Sequence, residues 1–160
     1  EQVENGYNPL NPDKTKTYLY LFSFGEKPHP FCAPLLTSFS ETLDIVSMQQ
    51  AATLFEGQHD FWNYATKPNA STKTVRSITR CQIVENTFYT ASFFPIQTYA
   101  LKITANGFLR NQVRLIMGQL FKLGKGEIDI ETIEESLKQR RDKPLREIAP
   151  GSGLILEKSK

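Results

Sequence analysis

Little in this sequence would bind a metal, staple a secreted fold or cross a membrane. Cysteine occurs twice, at Cys32 and Cys81, far apart and with neither a C-x-x-C nor a histidine at ligand spacing. Such a pair reads as two free thiols in a reducing compartment rather than as a disulfide framework or a metal site. The two histidines, His29 and His59, are equally isolated. No metal and no cofactor is assigned. No apolar run approaches the roughly 20 residues that cross a bilayer. The opening Glu1-Gln-Val-Glu-Asn-Gly has neither a basic segment nor an apolar one, so no signal peptide is read, and the missing initiator Met suits a piece of a longer protein. G-x-S-x-G, Walker A and H-E-x-x-H patterns are absent too, which leaves no familiar hydrolase, nucleotidase or metalloprotease signature.

What is present suits one packed domain. The 160 residues are 39% hydrophobic and 22% charged, and aromatics are generous, with 11 Phe and 6 Tyr against 1 Trp. The net charge of +2 is small, but its distribution is uneven. Lys102, Arg110, Arg114, Lys122 and Lys125 fall in a stretch with no acid, as do Lys67, Lys73, Arg76 and Arg80. The carboxylates gather afterwards, at Glu127, Asp129, Glu131, Glu134 and Glu135. Two acid-free basic stretches suit a phosphate-rich partner, and equally a solvated face.

Residues 1–16 are polar and read as a linker or frayed end, and residues 17–158 as the domain. Thr17–Phe24 is a strand with Tyr18, Tyr20, Phe22 and Phe24 on one side. The proline-broken stretch 27–34 is a loop. Asp44 caps a helix carrying Met48, Ala51, Ala52 and Phe55 at helical spacing, with Gly57 at its end. Residues 66–74 form a loop, and strands are expected at 75–84, 88–94 and 99–104. Asn106-Gly107 opens a second helix running to about Leu123, and Asp129 caps a third over 130–141. Leu154–Glu157 closes as a short strand. Hairpin-connected strands with helices able to cover one face give an α+β layered domain.

Two sets of residues carry candidate chemistry. Arg110 and Arg114, four apart, fall on the flank of the second helix's apolar stripe. Partly desolvated there, they could hold a carboxylate or phosphate, or simply snorkel from an amphipathic helix. Backbone amides at Asn106-Gly107-Phe108 would add an anion site at the positive end of the helix dipole. Tyr18 belongs to an aromatic stripe that is either core or, through its ring and hydroxyl, a surface on which a base stacks.

Several segments together resemble the TruA-type tRNA pseudouridine synthases. Lys16-Thr17-Tyr18-Leu19-Tyr20 is similar to the family's K-T-Y-x-Y strand, Gly57-Gln58-His59-Asp60-Phe61 to its G-x-H-D-F loop, and Arg76-Ser77-Ile78 to its R-x-I. Ala105-Asn106-Gly107-Phe108-Leu109-Arg110-Asn111-Gln112-Val113-Arg114, then Gly118 and Gly124-Lys125-Gly126, resembles A-N-x-F-L-R-x-M-V-R-x-x-V-G and V-G-x-G. Ala149-Pro150-Gly151-Ser152-Gly153-Leu154 resembles the A-P-x-x-G-L ending. The matches keep the family's order from Lys16 to Glu157. Gln112 stands where bacterial members usually have Met, and 87–97 is longer than the usual hairpin.

The resemblance implies a ferredoxin-like α/β sandwich with an antiparallel sheet and helices packed on one face. It implies conversion of uridine to pseudouridine in tRNA, the anticodon arm being the expected target, by a cytoplasmic homodimer without cofactor or membrane. The family's nucleophile is an aspartate on a G-R-T-D-A-G-V-H loop in its N-terminal half, and this chain has no such loop. The resemblance therefore casts the chain as the C-terminal half, inactive alone and partnered by the N-terminal half of the same protein. Within it, Tyr18 is the base-stacking tyrosine and Arg114 the arginine that pairs with the aspartate. Leu154 packs near the base, while Arg110, Asn106, Phe108 and Arg76 are RNA contacts. A non-catalytic RNA-binding module on the same fold is the alternative.

Overall fold

The computed structural model describes residues 14–159. Strand β1 (Lys16–Phe24) is the hub, because its alternating aromatic and aliphatic residues are apolar on both faces. One edge of β1 pairs antiparallel with β5 (Tyr99–Ala105), from Lys16↔Ala105 to Phe22↔Tyr99. The other edge is divided. Residues 16–20 pair antiparallel with β6 (Leu154–Ser159), and residues 22–24 pair parallel with β2 (Thr37–Phe39). β4 (Val75–Glu85) lies antiparallel on β5, and β3 (Gly57–Asp60) on β4.

The sheet expected to be antiparallel is therefore mixed. Its one parallel pair among the described residues, β1–β2, arises because the proline-broken stretch after β1 crosses over instead of turning back as a hairpin.

Three helices cover one face: α1 (Ile45–Thr53), α2 (Gln112–Gly124) and α3 (Ile130–Lys138). The carboxylates of Asp44 and Asp129 accept from the amides of Ser47 and Thr132, so both expected caps are formed. Met48, Ala51 and Ala52 are fully buried on α1, as the periodicity requires, and Phe55, also fully buried, lies just past its end. α2 is buried along almost its whole length and packs on the 145–149 segment so closely that a Cβ at Gly118 would collide with the Glu147 carbonyl oxygen.

The opposite face is covered by loops. Leu21, Cys32, Leu36 and Ala100 form a second apolar cluster, closed by Phe93, Phe94 and Ile155. The Cys32 thiol donates to the Phe93 carbonyl at 3.3 Å. Both cysteines are free and buried, and burial pushes their thiols up.

Several elements differ from their sequence reading: β2 falls where no strand is expected, and α1 ends at Thr53, so Gly57 opens β3 instead of closing that helix. Residues 88–94 form no strand: Asn86 accepts the Phe88 and Tyr89 amides with its side chain, and the 86–98 connection then folds Phe93 and Phe94 onto the second face. The G-x-H-D-F segment is a strand, β3, whose four residues pair with Val75–Ile78. α2 begins at Gln112 rather than near Gly107, and α3 ends at Lys138 rather than Arg141. Residues 1–13 of the expected linker lie outside the described residues.

Candidate active-site face and nucleic-acid interface

Tyr18 lies on the helix-bearing face of β1, half-buried, with its ring edge-to-face on Phe108 at 5.4 Å between centroids. Phe108 belongs to the β5–α2 connection, which carries it over the strand. Across the other edge of β1, Tyr18 faces Leu156 and Tyr20 faces Leu154. Leu154 is thus the diagonal neighbour of Tyr18 on the same face, and it is half-buried against the main core.

Arg114 stands in the first turn of α2, half-buried. Its Nε donates to the Ala149 carbonyl oxygen at 2.7 Å, and the Ala149 amide donates back to the Arg114 carbonyl at 3.0 Å. Gly151 lies against the guanidinium, where a Cβ would be 3.6 Å from Arg114 Cζ. Among the described residues no carboxylate pairs with Arg114.

Phe108 also belongs to a depression of about 530 Å³ lined by Lys73, Arg76, Asn106, Gly107 and Arg140. Three of the expected contacts, Arg76, Asn106 and Phe108, thus share one concavity with two cations the sequence reading did not assign. A larger hollow of about 660 Å³ lies at the C-terminal end of α3, shares Arg140, and contains none of the expected site residues.

Arg110 is not brought into this group. It precedes α2, is exposed, and offers its carbonyl to the Thr66 amide at 3.3 Å. The expected Arg110–Arg114 flank does not form, because the chain turns through Asn111 in the left-handed region (φ 61°) before the helix starts. For the same reason the amides at 106–108 are not the first turn of α2, and the expected anion site at a helix N-terminus is withdrawn. The Leu109 amide is already taken by Gln112 Oε1 at 2.7 Å.

Two positions were missed. Tyr20 is fully buried, yet its hydroxyl donates to the Pro150 carbonyl at 2.5 Å. Burial, outweighing the Thr37 hydrogen bond and the nearby Arg114 charge, pushes its hydroxyl up to about 12. Its place in an aromatic stripe hid that role; the signal was a hydroxyl on a stripe that phenylalanine could otherwise have filled. Arg140 was read as the end of a helix. Its Nε donates to Asp60 Oδ2 at 2.7 Å and its Nη2 to Thr74 Oγ1 at 3.3 Å, with the guanidinium 5.8 Å from the Trp62 ring centre. Partial burial raises the Asp60 carboxyl, but hydrogen bonds from Thr74, Arg140 and the Trp62 amide outweigh it and hold the group below its usual range.

A family model described as tRNA pseudouridine synthase matches residues 51–160. The chain is 31% identical over 157 residues to tRNA pseudouridine synthase A 2 of Bacillus cereus, covering 98% of this chain and 60% of that protein. It is 30% identical over 160 residues to tRNA pseudouridine synthase A of Thermodesulfovibrio yellowstonii, covering 99% and 63%. It is 32% identical over 154 residues to the protein of that name in Wolinella succinogenes, covering 96% and 56%. The chain thus spans about three fifths of the length of these relatives.

Proposed function

The chain belongs to the tRNA pseudouridine synthase family, and on that premise we propose that it forms the base-stacking and aspartate-orienting part of an enzyme that isomerises uridine to pseudouridine in tRNA. The nucleophilic aspartate comes from an N-terminal half of the same protein. Tyr18 stacks on the flipped base, Leu154 packs beside it, and the terminal nitrogens of Arg114 hold the aspartate ionised and aimed. Asn106, Phe108 and Arg76 contact RNA, with Arg76 and its cationic neighbours taking backbone phosphates, which positions the substrate without reading its sequence. Arg110 contributes a peripheral phosphate contact. The target lies in the anticodon arm, and the working enzyme is a cytoplasmic homodimer.

The observation that carries this reading is Arg114. A half-buried guanidinium tied to a backbone carbonyl, with no carboxylate partner among the described residues, sits on the same sheet face as the Tyr18–Phe108 pair. Desolvated arginines are normally paired, and the partner this one fits is a carboxylate.

Tritium release from uridine-labelled tRNA tests it. The protein carrying the upstream aspartate loop turns over, the 160-residue chain alone does not, and Arg114→Gln in the complete protein lowers kcat by about a hundredfold or more with little change in tRNA affinity. The other reading is a tRNA-binding module without catalysis on the same fold. It gains if the complete protein binds tRNA and releases no tritium. Turnover by the chain alone sinks the proposed division of labour.

A further inference from the structure

We propose that Tyr20 is a positioning residue for Arg114, acting through the 149–152 loop to fix which edge of the guanidinium meets the catalytic carboxylate. The inference rests on the reading of Arg114 given above. The loop is gripped from two sides. Arg114 Nε takes the Ala149 carbonyl, and the Tyr20 hydroxyl takes the carbonyl of the next residue, Pro150.

Proton counting fixes the direction of the chain of hydroxyls behind Tyr20. A carbonyl can only accept, so the single Tyr20 proton is committed to Pro150. Thr37 must then donate to the Tyr20 oxygen across 2.8 Å, which leaves Thr37 Oγ1 to accept from Ser152 Oγ at 3.3 Å. Residues from β1, β2 and the loop itself thereby close one directed network, and Tyr20 is its only member that is fully buried.

The consequence lies in guanidinium geometry. A carboxylate can meet an arginine side-on, through Nε and one terminal nitrogen, or end-on, through both terminal nitrogens. With Nε committed to Ala149, the side-on edge is closed and the end-on edge is the one left. The loop also runs beside the guanidinium at Gly151, where an added Cβ would lie 3.6 Å from Cζ, so loop and guanidinium are neighbours beyond the Nε hydrogen bond. Whatever holds the loop therefore sets the direction from which the aspartate is engaged.

Tyr20→Phe separates this role from packing, because the ring and its edge contact with Phe121 at 5.9 Å are retained. In the complete protein, kcat on tRNA falls by about tenfold to a hundredfold while KM stays within about twofold. In the chain as it stands, the Arg114 Nε–H resonance in a nitrogen–proton spectrum loses its protection from solvent exchange. Thr37→Val, which removes the hydroxyl that donates to Tyr20, moves both readouts the same way and carries the test if Tyr20→Phe does not fold. Unchanged kcat in both variants, or a loss confined to KM, overturns the proposal. The resonance does not depend on catalysis. If the unsubstituted complete protein makes no pseudouridine, the reading of function fails, and an Arg114 Nε–H that stays protected in both variants still overturns the positioning role by itself.

Discussion

Gln112 shows how one side chain can serve and strain a site at once. It is 1% exposed, and its Oε1 accepts the Leu109 amide, which satisfies a backbone donor of the connection just before α2. Its Nε2 is buried with no partner among the described residues. Each unmatched buried group costs about 1–3 kcal/mol, so the acceptor's gain and the donor's loss nearly cancel. Gln112→Met, the residue usual in bacterial members, removes both. Its stability in a urea titration is expected within about 1 kcal/mol of the parent, whereas Gln112→Ala loses about 2–4 kcal/mol by adding a cavity. A Met variant as damaged as the Ala variant would show that the Leu109 bond dominates.

At the scale of elements, the β3–β4 corner is held by the Asp60–Thr74–Arg140 group, which ties one end of that hairpin to the segment after α3. The Asp60 carboxyl is depressed in the folded chain. Its contribution to stability is therefore present above its unfolded value, near 3.9, and is lost as pH falls through the lower folded value. Thermal melts between about pH 5 and pH 2.5 are expected to converge for the parent and Asp60→Asn, with the parent the more stable only at the upper end. Parallel curves would sink the idea. This corner was only partly legible in the sequence. Met48, Ala51 and Ala52 and the caps Asp44 and Asp129 each act within one helix, so local spacing found them, although the expected stripe runs on to Phe55, past the end of α1. β3 was missed because Gly57-Gln58-His59-Asp60 has no apolar alternation, and its strand character comes from pairing with β4. Phe93 and Phe94 read as part of a strand because packing against a distant face has the same apolar signal as pairing. Among the candidate site residues, the family motif points to Tyr18 and Arg114, which the fold puts on one sheet face, whereas the helical grouping of Arg110 with Arg114 fails because α2 starts two residues after Arg110.

For the whole molecule, binding of tRNA should be set by which cations are free to neutralise phosphate, since a net charge of +2 supplies little general attraction. Around the Phe108 depression, Lys73 is exposed and Arg76 half-buried, and neither has a carboxylate partner among the described residues. Arg140 lines the same concavity but is paired with Asp60. The three should therefore behave differently although they are neighbours. A plot of log binding constant against log salt for labelled tRNA is expected to lose about one unit of slope in Lys73→Gln and again in Arg76→Gln, because each removes one phosphate contact. Arg140→Gln is expected to leave the slope near that of the parent and to lower the melting temperature instead, since its charge is spent on Asp60. Slopes unchanged from the parent in all three variants would mean that RNA does not lie across this depression. A loss of slope confined to Arg140→Gln would mean that tRNA breaks the Asp60 pair on binding, making the corner a part of recognition rather than its support.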